Sequence, residues 1–332
     1  MQTVKLHTKA RITAFGTYVP EHRLTNEDLS AMVDTNHEWI VQRTGMIERR
    51  IVGPDTYASD LAYHAVLNLA ERHGVDVQTI DALLVATSTP DAFFPSTAAL
   101  VQARLGISNA MALDISNACA GFVSAMQVAI GLIDSGMHRK VLVIGSEVLT
   151  RAVDYQDRST CILFGDGAGA ILLEAGTEQS CFIASGSLTM GDTGGVLHRR
   201  AIAERIGDIE MRADGTLFQN GREVYKWALQ QIPAGVKRIL KEAGYSADQV
   251  DQFVPHSANL RMIESICERS GIPIEHTLTS VQYYGNTSAA SIPLAIAEGL
   301  KDGRLQPGHL TLLYGFGGGF SQAILLLRWP SF

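Results

Sequence analysis

DISNACAGFVSAMQVAIGLIDSG, residues 114–136, reads from Ala118 onward as a helix with no solvent face: it is small and apolar all round, lacks proline, and carries Ser124 and Gln127 as its only polar side chains before Asp134. A helix apolar on every side belongs in a protein interior. Gly136 suits its C-terminus, because glycine tolerates the left-handed backbone found there, and the strand-like run KVLVIGSE (140–147) follows. Cys119 stands where this helix begins. Two uses are open to it. Free cysteine often serves as a small buried hydrophobe. At a helix N-terminus the dipole, equivalent to roughly half a positive charge, favours the thiolate of a group whose ordinary pKa is about 8.5.

Outward from this stretch, short apolar runs alternate with helical segments, the pattern of an α/β layered fold. The spacing predicts strands at 82–88, 141–147, 169–174, 252–257, 310–316 and 322–329, and helices at 58–73, 96–105, 119–135, 222–243, 259–270 and 288–302. The second half echoes the first. The step from Cys119 to Gly136 equals the step from Asn286 to Gly303, and each glycine precedes an apolar strand, KVLVIGSE or HLTLLYGFG. The same offset of 167 lays ALLVATSTP (82–90) over QVDQFVPHS (249–257). Two duplicated α/β halves are therefore expected, 1–174 carrying the cysteine and 175–332 carrying His256 and Asn286. A two-fold arrangement of such halves gathers equivalent helix starts around one cleft, which would place Cys119 and Asn286 at matching helix starts with His256 after the strand QFVP.

A chain of 332 residues with 46% hydrophobic content buries a large core. Its net charge of −7 argues against nucleic-acid binding, which needs concentrated positive charge. The four cysteines, Cys119, Cys161, Cys181 and Cys267, are far apart and form no zinc-type cluster. No apolar run reaches the roughly 20 residues of a membrane span, and the N-terminal stretch lacks a signal-peptide core. The expectation is a cytoplasmic, soluble protein with reduced thiols and no metal.

A Cys/His/Asn set points to thiol chemistry without naming the reaction, since some thiol hydrolases use the same three residue types. Asn286, in YYGNTSAASIP, also reads as a helix cap. GFGGGF (315–320) fails the dinucleotide fingerprint because Phe320 replaces its last glycine; GDGAGA (165–170) fits the looser form but precedes the strand-like ILLE where a helix is required, so it reads as a tight inter-strand turn. The glycines at 315–319 suit close backbone approach and N–H donation to an oxyanion.

Taken together, TNHEWIVQRTGMIERR (35–50), NACAGF (117–122), DRSTCILFGDGAGA (157–170), NGREVYKWA (220–228), PHSANLRM (255–262), YGNTSAASIP (284–293) and GFGGGF (315–320) resemble β-ketoacyl-acyl carrier protein synthase III, almost end to end. The resemblance implies the thiolase fold, two duplicated halves in an α-β-α-β-α arrangement, assembled as a homodimer. It implies a Cys119 thioester formed from acyl-CoA, then decarboxylative condensation with malonyl-acyl carrier protein, with His256 and Asn286 holding the enolate oxygen and the N–H groups of Cys119 and Gly318 forming an oxyanion hole. No cofactor is implied, acyl-CoA being a substrate. Trp39 and Arg158 would flank the CoA adenine, with Arg43 beside them; Gly221 and Asn259 would line the pantetheine channel; Phe94 would cross the dimer interface to the partner's primer pocket. Lys226, Arg261 and Arg269 would dock the acidic carrier protein by charge. Ser257 in HSAN and Arg222 in NGREVYKWA depart from commoner forms of the motifs. A related thiolase-fold acyltransferase or condensing enzyme of secondary metabolism is the alternative.

Overall fold

The structure, a computed structural model, describes residues 1–176 and 180–332 (of residues 193 and 194, the backbone alone). Its main strands, in chain order, are β1 (Gln2–Lys5), β2 (Ala10–Tyr18), β3 (Ala82–Ala86), β4 (Met111–Ile115), β5 (Lys140–Val148), β6 (Asp166–Ala175), β7 (Phe182–Leu188), β8 (Gln252–Pro255), β9 (Leu310–Gly317) and β10 (Ser321–Arg328). The main helices are α1 (His37–Thr44), α2 (Ala58–His73), α3 (Thr97–Arg104), α4 (Gly121–Asp134), α5 (Gly221–Ala243), α6 (Leu260–Ser270) and α7 (Ser291–Lys301). The strands make two five-stranded sheets, ordered β2-β6-β5-β3-β4 and β1-β7-β10-β9-β8.

The duplication is visible in the pairing. Within β2-β6-β5-β3 the contacts run antiparallel, antiparallel, parallel, and β7-β10-β9-β8 repeats that sequence. The fifth strand differs between halves. β4 lies parallel to β3, whereas the matching edge of the second sheet has only a single bridge, Phe253 to Thr277. That sheet gains its fifth strand at the opposite edge from β1, antiparallel to β7. The chain's first residues thus belong to the second half's sheet, so a division at 174/175 does not separate the two sheets.

Side chains alternate across the strands, and both faces of the central ones are covered. In β3, Ala82, Leu84 and Ala86 face the space between the sheets, while Leu83 and Val85 face α2 and α3. Strands covered on both faces read as continuous apolar runs, which is why these are legible in the sequence. Helices α4 and α7 fill the middle layer: Phe122, Met126, Ile130, Ile292 and Ile296 share one core with Phe15 and Val143 of the first sheet and Leu313 and Leu325 of the second. Helices α5 and α6 cover the second sheet's outer face, through Val236, Ile239, Ile263 and Ile266. The layers are therefore α-β-α-β-α. Gln127, on largely apolar α4, shares its two amide protons among Ser185 Oγ at 2.9 Å, the Gly186 carbonyl at 3.0 Å and the Ile324 carbonyl at 3.1 Å, which satisfies a part-buried polar group.

The two halves are related by an offset of 170, not 167. Ala118 and Ser288 share a left-handed backbone, φ 44° and 47°; each opens a 3-10 turn, 118–120 and 288–290, and α4 and α7 begin at Gly121 and Ser291. β3 and β8 start at 82 and 252, and β5 and β9 at 140 and 310. Gly136 and Gly303 obey the shorter offset because α7 has 11 residues against 14 in α4, and the connection after Gly303 is correspondingly longer. Cys119 is therefore the counterpart of Ala289, and Asn286 does not stand at an equivalent helix start.

GDGAGA is also not a turn. From Asp166 onward it is the beginning of β6, paired with β5 from Asp166 and with β2 as well from Ala168. Its glycines admit α7: a Cβ on Gly169 would lie 2.3 Å from Pro293 Cβ. Gly145 and Gly315, separated by the same offset, do likewise for the two helix starts. A Cβ would fall 2.4 Å from the Ala289 carbonyl oxygen in one case and 2.9 Å from Ala120 Cα in the other.

Candidate active site

The starts of α4 and α7 and the ends of β8 and β9 enclose a cavity of about 340 Å³ that Cys119, His256 and Asn286 all line. Three side chains distant in sequence do meet there. Cys119 sits in the 3-10 turn Ala118–Ala120 that opens α4, where the Ala120 N–H donates to the Asn117 carbonyl at 3.1 Å and the Gly121 N–H to the Ala118 carbonyl, so backbone bonds of the turn rather than a side chain cap the helix. Burial pushes the thiol up to about 12, against opposing contributions from the Ser288 hydroxyl and the Cys119 N–H, with Glu147 adding to the rise. Burial thus opposes the thiolate that a helix dipole is expected to favour, and holds the resting group as a thiol. The hairpin GFGGGF presses against it: a Cβ on Gly317 would lie 2.9 Å from Cys119 N and 3.0 Å from its Sγ. Gly318 lines the same cavity, and Gly319, at φ 70°, makes the turn into β10.

His256 follows β8 and is held by its own N–H donating to the Tyr314 carbonyl at 2.8 Å. Burial lowers its pKa to about 3, so the ring is neutral over the whole physiological range. Its Nδ1 lies 2.7 Å from Ser291 Oγ. That hydroxyl also accepts from the Ser257 N–H at 3.3 Å; when it donates its own proton to Nδ1 the imidazole proton is on Nε2, the tautomer a donor to the cavity requires. Ser257, the departure from the commoner motif, is itself engaged, its hydroxyl accepting from Ser280 N–H at 3.0 Å.

Asn286 is fixed through its backbone, with N–H to the Leu163 carbonyl at 2.8 Å and carbonyl from the Gly165 N–H at 3.1 Å. Its Oδ1 accepts from the Ser288 N–H at 2.9 Å, which reserves the amide NH2 as a donor. Sequence reasoning does not single out Ser288. Its N–H holds Asn286, its backbone hydrogen-bonds the His256 imidazole, and its hydroxyl reaches Cys119. The signal available is its position as the counterpart of Ala118, which shows only once the offset between the halves is known.

Two family models match the chain: "3-Oxoacyl-[acyl-carrier-protein (ACP)] synthase III" over residues 113–194 and its C-terminal counterpart over residues 240–329. β-Ketoacyl-[acyl-carrier-protein] synthase III 2 of Halalkalibacterium halodurans is 53% identical across 97% of both chains. Its namesake in Bacillus subtilis is 51% identical across 97% of this chain and 99% of that one. The solved structure of β-ketoacyl-[acyl carrier protein] synthase III from Thermus thermophilus superposes with a TM-score of 0.91 at 42% identity, covering 96% of this chain and 99% of the other. The chain belongs to the β-ketoacyl-acyl carrier protein synthase III family.

It is accordingly an initiating condensing enzyme of fatty acid synthesis, an acyltransferase with the thiolase fold. Around the synthase cavity, Gly221 and Asn259 form part of the wall. Asn259 caps α6 and donates to the Arg43 carbonyl at 3.3 Å, tying α1 to that wall. Trp39, Arg43 and Arg158 cluster outside it, with the Arg158 and Arg43 guanidinium carbons 5.0 and 5.7 Å from the Trp39 ring centroid. Phe94 is 86% exposed, beside similarly solvent-facing Phe93. Of the candidate docking cations, Lys226 is exposed and Arg269 donates to the Leu229 carbonyl at 3.3 Å. Arg261 is already engaged, paired to both oxygens of Glu264 at 2.9 Å and donating to the Gln42 and Val41 carbonyls at the end of α1. Among the described residues, no helix is long and apolar enough to cross a membrane.

Proposed function

We propose that the chain takes a primer acyl group from acyl-CoA onto Cys119 and condenses it with malonyl-acyl carrier protein. In the first half, Cys119 sulfur bonds to the acyl carbon, the carbon–sulfur bond to CoA breaks, and the thiol proton ends on the departing CoA thiol. In the second, the malonyl C–CO2 bond breaks and its electron pair forms an enolate whose oxygen is held by His256 Nε2–H and the Asn286 amide. The enolate carbon attacks the Cys119 thioester; the N–H groups of Cys119 and Gly318 hold the oxyanion until the sulfur leaves as a thiolate, which takes one proton from water to restore the thiol, giving 3-oxoacyl-acyl carrier protein and CO2. No step transfers an electron, so the reaction calls for no redox cofactor.

The convergence of one thiol with two neutral donors in one buried cavity carries this reading. Neutral donors stabilise an enolate without needing a counter-ion, and their burial strengthens both hydrogen bonds. Trp39, Arg43 and Arg158 would receive the CoA nucleotide, the guanidinium now over Trp39 yielding its place to the adenine. We place a homodimer contact at the first sheet's open edge, where β4 has a partner on one side only and exposed Leu113, Phe93 and Phe94 stand nearby in sequence; Phe94 would reach the partner's primer pocket. Lys226 and Arg269 would meet the acidic carrier protein, with Arg261 contributing only charge.

Intact-mass measurement after exposure to acetyl-, isobutyryl- and longer acyl-CoAs tests the reading. The wild type should gain one acyl mass and Cys119→Ala none, and malonyl-acyl carrier protein should then discharge the adduct as a 3-oxoacyl product. Release of free acid without condensation would instead make the protein a hydrolase.

A further inference from the structure

Glu147 on β5 is completely buried, and the reaction above does not use it. The offset that relates the halves carries it onto Gly317 of β9, so the two occupy the same position in their respective sheets. Gly317, without a side chain, leaves the start of α4 open where Cys119 faces the cavity. Glu147 does the opposite at the start of α7. Its carboxylate takes hydrogen bonds from the Ser288 hydroxyl and the Ala289 N–H, the latter belonging to the counterpart of Cys119. On its other side it accepts from Ser88 N–H at 3.0 Å and Thr89 Oγ1 at 2.8 Å. A cluster of donors converging on both oxygens suits an ionised carboxylate; burial, the largest influence, raises the group's pKa, and these bonds offset part of that rise.

We propose that Glu147 is a positioning residue: an internal anion filling the vacant counterpart of the reaction site and, by fixing the start of α7, setting Ser288 and through it the cysteine, the histidine and the asparagine. The inference takes its readout from the condensing reaction proposed above. Ser288 holds a left-handed backbone at φ 47°, a conformation that a non-glycine residue keeps only when its surroundings impose it. Glu147 supplies that constraint from one side. With the carboxylate gone, Ser288 relaxes and all three of its partners lose their alignment at once.

The test is Glu147→Gly, which empties the pocket, assayed with and without sodium formate in the full-length protein. With the fold verified by circular dichroism, condensation should fall by about 10²-fold, the cost of a misplacement near 1 Å. Formate should restore it several-fold, while chloride at equal ionic strength should not. A merely structural residue would lower the melting temperature without showing this anion-specific rescue. Should Glu147→Gly not fold, Glu147→Gln decides, with condensation expected to fall at least fivefold. Wild-type rates in a folded variant, or an impaired Glu147→Gly that formate leaves unchanged, would overturn the proposal. If the wild type itself forms no 3-oxoacyl product, the condensing reading fails instead, which the wild-type control reports separately.

Discussion

Gly317 and Asn286 show how much of the chemistry rests on single atoms. A methyl group at 317 would fall 2.8 Å from Cys119 Cβ and 2.9 Å from its N, closer than carbon and nitrogen atoms approach, so the cysteine must move. Gly317→Ala should therefore cut Cys119 acylation by about 10²-fold while the protein remains folded; an undiminished rate of adduct formation would show that the hairpin does not set the thiol's position. Asn286→Asp keeps the shape and the acceptor from Ser288 N–H but replaces the donating amide with a carboxylate. Decarboxylation of malonyl-acyl carrier protein should fall by about 10²–10³-fold, the usual effect of losing one oxyanion donor, and acylation by much less. Equal losses in both half-reactions would remove Asn286 from the enolate step. At this scale the sequence displays the reacting residues through their motifs, but not Ser288, whose importance lies in backbone contacts to distant partners.

The elements are legible in proportion to how they are buried. Helical spacing predicts α2 at 58–73, where it is found, because its apolar residues recur at that period over about four turns. Strands β3, β5, β8, β9 and β10 stand out as apolar runs. β2, ARITAFGTY, and β7, FIASGSL, escape the pattern because glycine, serine and threonine dilute their alternation; β4, half-exposed along its length, offers no clear inner face. What the sequence conceals about elements is mostly distance. Gly145, Gly169 and Gly315 are glycine because a helix passes within contact of the strand backbone, and nothing local to each residue says so. Two substitutions of the same kind should therefore act with opposite sign. Gly145→Ala places a Cβ 2.4 Å from the Ala289 carbonyl, forcing α7 from its sheet at a cost of about 1–3 kcal/mol or more. Gly131→Ala, inside α4 with nothing within 4 Å of the new Cβ, should stabilise by about 0.5–1 kcal/mol. Thermal melts compare them directly, and a shift of equal sign would contradict the packing described.

At the scale of the whole molecule, duplication is readable and its register is not, because α7 is shorter than α4 and a compensating extension after it keeps the glycines at a misleading spacing. The site survives that error because the two halves bury it between them, and the burial has a thermodynamic signature. His256 titrates at about 3 in the folded protein against an ordinary value of 6.5. Above pH 6.5 neither state binds the proton, so this group contributes no pH dependence. Below it the unfolded chain binds a proton that the folded chain refuses, and stability falls with pH until about 3, at a slope of about 1.4 kcal/mol per pH unit for one proton. Cys119 mirrors this on the alkaline side. The unfolded thiol ionises above 9.0 and the folded one only near 12, so stability falls as pH rises between those values. Lowered carboxylates such as Asp157 add to the acid limb, Asp166 and Glu147, which burial raises, oppose it, and Tyr155 and Cys161 add to the alkaline one, which is why the measurement must be a difference. Denaturant unfolding of wild type and His256→Asn between about pH 7.5 and 4.5 isolates the imidazole: the wild type should lose stability relative to the variant by about 1.4 kcal/mol for each unit below 6.5. A stability difference that stays constant across that window would mean that the ring takes its proton as readily in the folded state as in the unfolded one, and the donor assigned to His256 would then be charged below about pH 6.5 rather than neutral throughout.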